Sequence, residues 1–331
     1  MKPREYGGFL PLERGDGEWY QSAPGRSVRR YNAARYAIVT AVQDSGCRRV
    51  YVPHYLCASV YQALDRYAID YEKYHLADDL SPALSTIEED AVIVITNYFG
   101  VLPHSFFREQ AARFPHVIFD HTQGFFTAPT LQDGVYDVYS PRKFVGVCDG
   151  AYLVTRGPIR QPPLPKDCSA ARAAYLLHTL EDGTNANYAA SLASEDALTQ
   201  AGMKEMSDVT QSLLSIAPYD RIRQRRKANF AAAHAQLASH NALRCLCDAA
   251  LTDDDVTPMV YPLLLPVDGG AMRRRLVSQR IYVPQWWRAV LEEGQANAWE
   301  AHLSEDLIPL PIDQRYDEED IRTICAVVLS A

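Results

Sequence analysis

The amino-acid sequence predicts an α/β protein with a mostly parallel central sheet and a smaller C-terminal α+β domain. Between about residues 29 and 155, short apolar runs rich in β-branched residues alternate with stretches of helical periodicity. Uninterrupted apolar runs are typical of strands covered on both faces, as in parallel sheets. The chain has 331 residues, which is more than a single hydrophobic core usually organises, so we expect two domains.

The elements of the large domain follow in order along the chain. A helix is predicted over 30–45, followed by the short strand 50–52, which Pro53 ends. Helical spacers are predicted over 57–67 and 105–114. Four further apolar runs predict strands over 91–96, 117–119, 135–139 and 151–154.

The remainder of the chain changes character after the segment QPPLP at 161–165, which predicts an extended connector because proline is poorly tolerated inside helices and central strands. Helical sequence dominates from about 168 to 240, with amphipathic segments over 206–216 and 221–237. Short β-like runs over 259–267 and 281–283 precede a final helix over 318–329. We therefore expect an N-terminal arm and large domain over 1–220 and a smaller domain over 221–331.

Composition excludes several classes of protein. The formal net charge of −8 argues against a nucleic-acid partner, whose binding depends largely on basic side chains. No apolar run approaches the roughly 18 residues of a membrane span, so we expect no membrane partner and a cytoplasmic location. Seven scattered cysteines predict reduced thiols, and their spacing suggests no metal site.

Polar side chains follow four of the predicted strands. Ligands of open parallel sheets bind beyond the carboxyl ends of the strands, so these residues are the first candidates for a functional site. The four segments are Pro53-His54-Tyr55, Asn97-Tyr98-Phe99-Gly100, Asp120-His121-Thr122-Gln123 and Ser140-Pro141-Arg142-Lys143.

Lys143 stands out chemically among these residues. Only six of the 33 basic residues are lysines, and an arginine does not supply the neutral amine that attacks a carbonyl. A lysine, a carboxylate on a neighbouring strand and a hydroxyl three residues earlier indicate pyridoxal phosphate (PLP), which needs an amine and an acid for its pyridine nitrogen. Ser140 and the helix N-terminus near Ala34 are candidate phosphate donors. The pattern also fits a surface lysine in a turn and an Asx turn at Asp120.

Several sequence words resemble the DegT/DnrJ/EryC1/StrS family of PLP-dependent sugar aminotransferases, and the likeness spans nearly the whole chain. The words are P-H-Y-L-C (53–57), N-Y-F-G (97–100), F-D-H-T-Q (119–123) and S-P-R-K-F-x-G-V-x-D-G (140–150). The resemblance implies a fold of type I among PLP-dependent transferases. It also implies a homodimer that transfers an amino group from an amino acid such as glutamate to the keto group of a nucleotide-linked sugar.

The resemblance assigns roles to individual residues. Lys143 becomes the Schiff-base lysine and the acid/base, Asp120 the partner of the pyridine nitrogen, and Gln123 a contact to the ring or its 3-oxygen. Ser140, Ala34 and Arg35 fall at the phosphate, and Tyr55 is a candidate for stacking on the ring. Three further residues near the predicted site, Asn97, His121 and Trp286, are candidates for substrate contact, although a strand-end histidine or an interdomain tryptophan also serves structural roles.

The sequence departs from the family at the phosphate-binding helix, where Asn32-Ala33-Ala34-Arg35 lacks the usual glycine and threonine. A cofactor-free relative and a different PLP reaction, such as that of a dehydratase or lyase, therefore stay open, although Lys143 favours transamination. A hydrolase with Cys148 as nucleophile is a further alternative. Tyr6 to Phe9 predict an arm that packs on the fold or on a partner subunit.

Overall fold

A seven-stranded sheet forms the centre of the protein, for which a computed structural model describes residues 12–330. The strands are β1 (Ser27–Tyr31), β2 (Arg49–Pro53), β3 (Glu72–Tyr74), β4 (Ala91–Thr96), β5 (Val117–His121), β6 (Val135–Tyr139) and β7 (Ala151–Thr155). They lie in the order β1-β7-β6-β5-β4-β2-β3. Only β7 runs antiparallel to its neighbours, β1 and β6, so the predicted mostly parallel sheet is confirmed.

The sequence analysis did not predict two of the strands, β1 and β3. The predicted helix over 30–45 instead begins at Ala34, because residues 27–31 pair with β7 as an edge strand. Strand β1 carries Arg29 and Arg30 and lacks an uninterrupted apolar run, so it gives none of the signal of a buried strand. Strand β3 is only three residues long and lies at the opposite edge.

Alternate residues of the central strands point into two hydrophobic cores on opposite faces of the sheet, as the two-residue period of a strand requires. Val92 and Val94 of β4 pack with helices α1 (Ala34–Ser45) and α2 (Ala58–Arg66), whereas Ile93 and Ile95 pack on the other face. That second core includes residues of α3 (His104–Arg113) and of the C-terminal elements.

The predicted helical region after residue 168 is confirmed. It contains α4 (Ala174–Ala186), α5 (Tyr188–Gln200), α6 (Asp208–Ser215) and α7 (Tyr219–Leu237). Residues 161–165 form neither helix nor strand, as the proline-rich sequence predicts. Among the described residues, no helix combines the length and apolar character needed to cross a membrane.

The C-terminal region combines helices with a two-stranded antiparallel sheet of β8 (Val260–Leu263) and β9 (Ile308–Pro311). The helices are α8 (Arg244–Thr252), α9 (Gly269–Ser278), α10 (Ala289–Glu292), α11 (Ala298–Asp306) and α12 (Glu318–Leu329). The predicted strand over 281–283 is wrong: this segment pairs with no strand, and β8 pairs with β9 instead. One core joins β4 and β5 to α7 and α12, and the division at residue 220 stays a prediction. Tyr6 to Phe9 lie outside the described residues.

Candidate active site

A cavity of about 460 Å³ lies beyond the carboxyl ends of β5 and β6. Five of the ten residues predicted for the site line it, namely Ala34, Arg35, Asp120, Ser140 and Lys143. They come from the N-terminus of α1 and from the segments that end β5 and follow β6. The parallel register of β5 and β6 is what brings the carboxylate and the lysine to the same edge of the sheet.

Lys143 ends a single helical turn, Pro141–Lys143, directly after β6. Its side chain is exposed within the cavity, but the dense surrounding protein still withholds much of the hydration that a charged amine needs. Desolvation is the largest influence and lowers the pKa of Lys143, whereas Cys57 and Asp120 oppose that shift. A lowered pKa increases the fraction of the amine that is neutral and nucleophilic near neutral pH.

Asp120 is the penultimate residue of β5 and is almost completely buried. Its Oδ1 accepts a hydrogen bond of 2.9 Å from the Thr122 backbone N–H. Burial is the main influence and raises the pKa of Asp120, although the bonds to Thr122 and the charge of Lys143 oppose it. The carboxyl group therefore lacks a full complement of charged partners, and a cationic ligand placed beside it would stabilise its ionised form.

The start of α1 presents hydrogen-bond donors to the cavity. Its N-cap residue is Ala33, which has no side-chain acceptor to satisfy the first N–H groups of the helix. Arg35 is only 8% exposed, its Nη2 donates to Thr199 Oγ1 at 3.0 Å, and its buried Nε has no hydrogen-bond partner. Together with Ser140, which also lines the cavity, this donor set suits a phosphate group.

Two charged residues of the cavity were given no role in the sequence analysis: Arg142, which lies in a candidate segment, and Glu195, which was missed. Arg142 precedes Lys143, and its Nη2 pairs with Glu195 Oε2, while Glu195 Oε1 lies 3.7 Å from Arg35 Nη2. Desolvation raises the pKa of Glu195, but the two arginines outweigh it and hold that pKa below its usual value. Glu195 belongs to α5, in a region without a recognisable sequence word, so no local signal marked it.

His121 and Asn97, the two predicted strand-end candidates for substrate contact, contact each other outside the lining of the cavity. His121 is fully buried, with its Nε2 3.0 Å from Asp137 Oδ1. Asn97 Nδ2 donates to His121 Nδ1 at 3.2 Å and to Thr127 Oγ1 at 3.0 Å. These two residues form a buried structural network and do not line the cavity.

Gln123 is also structural in this arrangement. Its Oε1 accepts a hydrogen bond of 2.6 Å from the backbone N–H of Phe99, a residue with a φ of 62°. The adjacent Gly100 has a φ of 70°, and a Cβ there would collide with the Gln123 carbonyl oxygen. The N-Y-F-G and D-H-T-Q segments are therefore packed against each other, and Gln123 does not line the cavity.

Two predicted aromatic residues pack in or against the core. Tyr55 is fully buried, with its ring centroid 4.5 Å from that of Trp287 and 5.5 Å from that of Tyr98. Trp286 is partly buried and stacks on Phe99 with a centroid distance of 6.0 Å. Cys57, two residues after Tyr55, lines the cavity instead, and none of the described residues that line it is aromatic.

The alternative nucleophile, Cys148, lies in a different environment. Its Sγ is buried and faces the Ser169 carbonyl oxygen at 3.7 Å. Burial raises the pKa of the Cys148 thiol, which lowers the population of the thiolate that nucleophilic catalysis requires. The structure therefore gives no support to a cysteine hydrolase centred on this residue.

The chain is similar in structure to several solved aminotransferases. The sugar aminotransferase CalS13 from Micromonospora echinospora is 14% identical, with a TM-score of 0.60 over 92% of this chain and 87% of that chain. A DegT DnrJ EryC1 StrS aminotransferase from Brucella abortus is 12% identical, with a TM-score of 0.58 over 92% and 85%. Spr1654 from Streptococcus pneumoniae, in its PLP form, is 12% identical, with a TM-score of 0.57 over 92% and 87%.

The chain has the fold of these aminotransferases. This confirms the predicted fold class, a type I fold with a mostly parallel sheet. No protein-family model and no curated protein matches the sequence. At 12–14% identity the likeness concerns the fold, so the chemistry has to be argued from the cavity itself.

Proposed function

We propose that the protein is a PLP-dependent aminotransferase that transfers an amino group from an amino acid such as glutamate to the keto group of a nucleotide-linked sugar. The observation that carries the proposal is Lys143, a lysine of lowered pKa in a cavity shared with a buried carboxylate. Proteins of the same fold named sugar aminotransferases, one of them in a PLP form, support both the reaction class and the cofactor.

The residues of the cavity fit PLP at three points. Lys143 supplies the amine for covalent attachment, and Asp120 supplies a buried carboxylate for the ring nitrogen. The uncapped start of α1, the unpartnered Nε of Arg35 and the Ser140 hydroxyl supply donors for the phosphate. The ring would lie against Cys57 and Val60, because Tyr55 is committed to the core.

The bound cofactor supplies an electron sink that allows the Cα–H bond of the amino donor to break. Lys143 would accept that proton at Nζ and release it again, which its lowered pKa favours. Asp120 would hold the cofactor at its ring nitrogen, because a buried carboxylate stabilises a positive charge strongly.

The proposal includes a homodimer in the cytoplasm. Helix α4 has no buried residue, and it exposes 67% of Leu177 and 85% of Leu180. Tyr188 and Leu192 of α5 continue this apolar surface, which a second copy would cover. Sedimentation equilibrium at micromolar concentration should give the mass of a dimer, and a monomer at all concentrations would contradict this part of the proposal.

The test of the proposed function is a spectroscopic titration with PLP. The wild-type protein and Lys227→Ala, a lysine control on α7, should develop the visible absorption band of a lysine-bound cofactor, and Lys143→Ala should not. Addition of glutamate should then bleach the band as the amino group is transferred. Absence of a band in the wild-type protein would refute the proposal, and an unchanged band in Lys143→Ala would refute the assignment of the lysine.

One observation favours a second candidate, a cofactor-free relative. Glu195 already provides a carboxylate to Arg35 and Arg142, on the side of the cavity where the phosphate of PLP would bind. A protein in which this arrangement is permanent would not bind PLP, and the same titration separates the two candidates.

A further inference from the structure

One carboxylate is shared by two arginines inside the cavity. Glu195 Oε2 pairs with Arg142 Nη2, and Glu195 Oε1 lies 3.7 Å from Arg35 Nη2. The two guanidinium groups are therefore separated by the width of one carboxylate group. This spacing also suits the oxygens of a phosphate. In each arginine the Nε is buried and has no hydrogen-bond partner, so both retain a donor for another acceptor.

The acid, rather than the arginine, is the group that is able to move. Arg35 is 8% exposed, donates to Thr199 Oγ1 and lies over the ring of Tyr36 at 5.5 Å, so it is held on several sides. The side chain of Glu195 is 43% exposed and has a route to solvent. A rotation of Glu195 away from the cavity requires no change in α5, whose buried Leu198 anchors the helix to the core.

The charges favour an exchange of anions. Two guanidinium groups, those of Arg35 and Arg142, share the single carboxylate of Glu195 along the cavity wall. Removal of Glu195 from its place leaves these two positive charges unopposed, which matches the charge of a phosphate dianion. If Glu195 stayed between the arginines, its charge would repel the phosphate across a short distance in a poorly hydrated site.

We infer that Glu195 is a displaceable internal counterion: it holds Arg35 and Arg142 in the cofactor-free protein, and the phosphate of the cofactor takes its place on Arg35. This inference rests on the proposed function, because it assumes that PLP is the ligand. It makes Glu195 a positioning residue that weakens cofactor binding while it keeps the two arginines arranged for it.

The experiment compares Glu195→Gln with Asp196→Asn, which removes the same charge from the next, exposed position of α5. Glu195→Gln should bind PLP about tenfold more tightly than the wild-type protein in a titration of the visible band, because the competing anion is gone. Asp196→Asn should change the dissociation constant by less than about twofold, because solvent screens an exposed charge. Inorganic phosphate alone should raise the midpoint of thermal unfolding more in Glu195→Gln than in the wild-type protein.

Equal or weaker PLP binding by folded Glu195→Gln would overturn the inference. Should that variant not fold, Glu195→Asp keeps the charge on a shorter side chain that reaches Arg35 less well, and it should bind PLP more tightly than the wild-type protein does. A wild-type protein without a visible band would refute the proposed function alone. The measurement with inorganic phosphate would then test the role of Glu195. Equal shifts in the midpoint of thermal unfolding of the wild-type protein and of Glu195→Gln would contradict the inference.

Discussion

Asp120 and His121 are neighbours in the sequence, yet they belong to two different parts of the molecule. Asp120 and Thr122 line the cavity, whereas His121 and Gln123 turn to the other side and bind Asp137 and the backbone of Phe99. Successive side chains of an extended segment point in opposite directions, so one residue separates a candidate catalytic group from a structural one. A polar segment at a strand end therefore contains two sets of residues, one that lines the cavity and one that makes structural contacts.

The largest expected effect is on the cavity side of this comparison. Asp120→Asn should lower the rate at which glutamate bleaches the PLP-bound protein by about 10² to 10⁴-fold, because an amide holds no charge opposite the ring nitrogen. The midpoint of thermal unfolding should change little or rise, since burial opposes the charge of this carboxylate. Stopped-flow absorbance measures the rate, and a rate within threefold of the wild-type value would remove Asp120 from the proposed mechanism.

On the buried side, the expected effect is on stability. His121→Leu removes the ring that faces Asp137 Oδ1 at 3.0 Å, and the buried carboxylate loses a hydrogen-bond donor. The free energy of unfolding should fall by about 3 kcal/mol, measured by urea denaturation. Folded His121→Leu should still develop the visible band with PLP. Unchanged stability together with loss of the band would place His121 in the active site and contradict its structural role.

A smaller effect is expected in the pH dependence of the reactivity of the Lys143 amine. Because desolvation lowers the pKa of this amine below the ordinary value of 10.5, its neutral fraction should be significant at lower pH than that of a free lysine. Acylation of Lys143 in the cofactor-free protein, followed by mass spectrometry of its peptide, should therefore reach half its maximal rate below pH 10.5. A midpoint at or above the ordinary value would show that the cavity does not desolvate the amine.

The sequence contained enough information for the sheet and for one wall of the cavity. The runs at β4, β5 and β6 are predominantly apolar, with Asp137 as a charged residue within β6, and parallel strands end at one edge, so Asp120 and Lys143 could be placed together before the fold was known. The direction in which individual side chains point was harder to predict from the sequence. Asn97, His121 and Gln123 lie at the correct edge, but their orientation depends on the turns that follow each strand.

The other wall could not be predicted. Glu195 and Thr199 reach the cavity from α5, more than fifty residues after Lys143, through tertiary packing that no local pattern encodes. Cys57 illustrates a smaller difference: the resemblance to the family assigned ring stacking to Tyr55, whereas the loop after β2 presents the residue two positions later to the cavity. Loop conformations shift such assignments by one or two residues without changing the motif.

The central claim is that Lys143 holds the cofactor. Its most direct test is reduction of the PLP-treated protein with borohydride, followed by proteolysis and mass spectrometry, which fixes a pyridoxyl group on the lysine that carried it. All six lysines of the chain are potential acceptors, so the assignment is selective. The modification should appear on the peptide containing Lys143 and on no other peptide at one equivalent of PLP. Modification at a different lysine, or none, would contradict it.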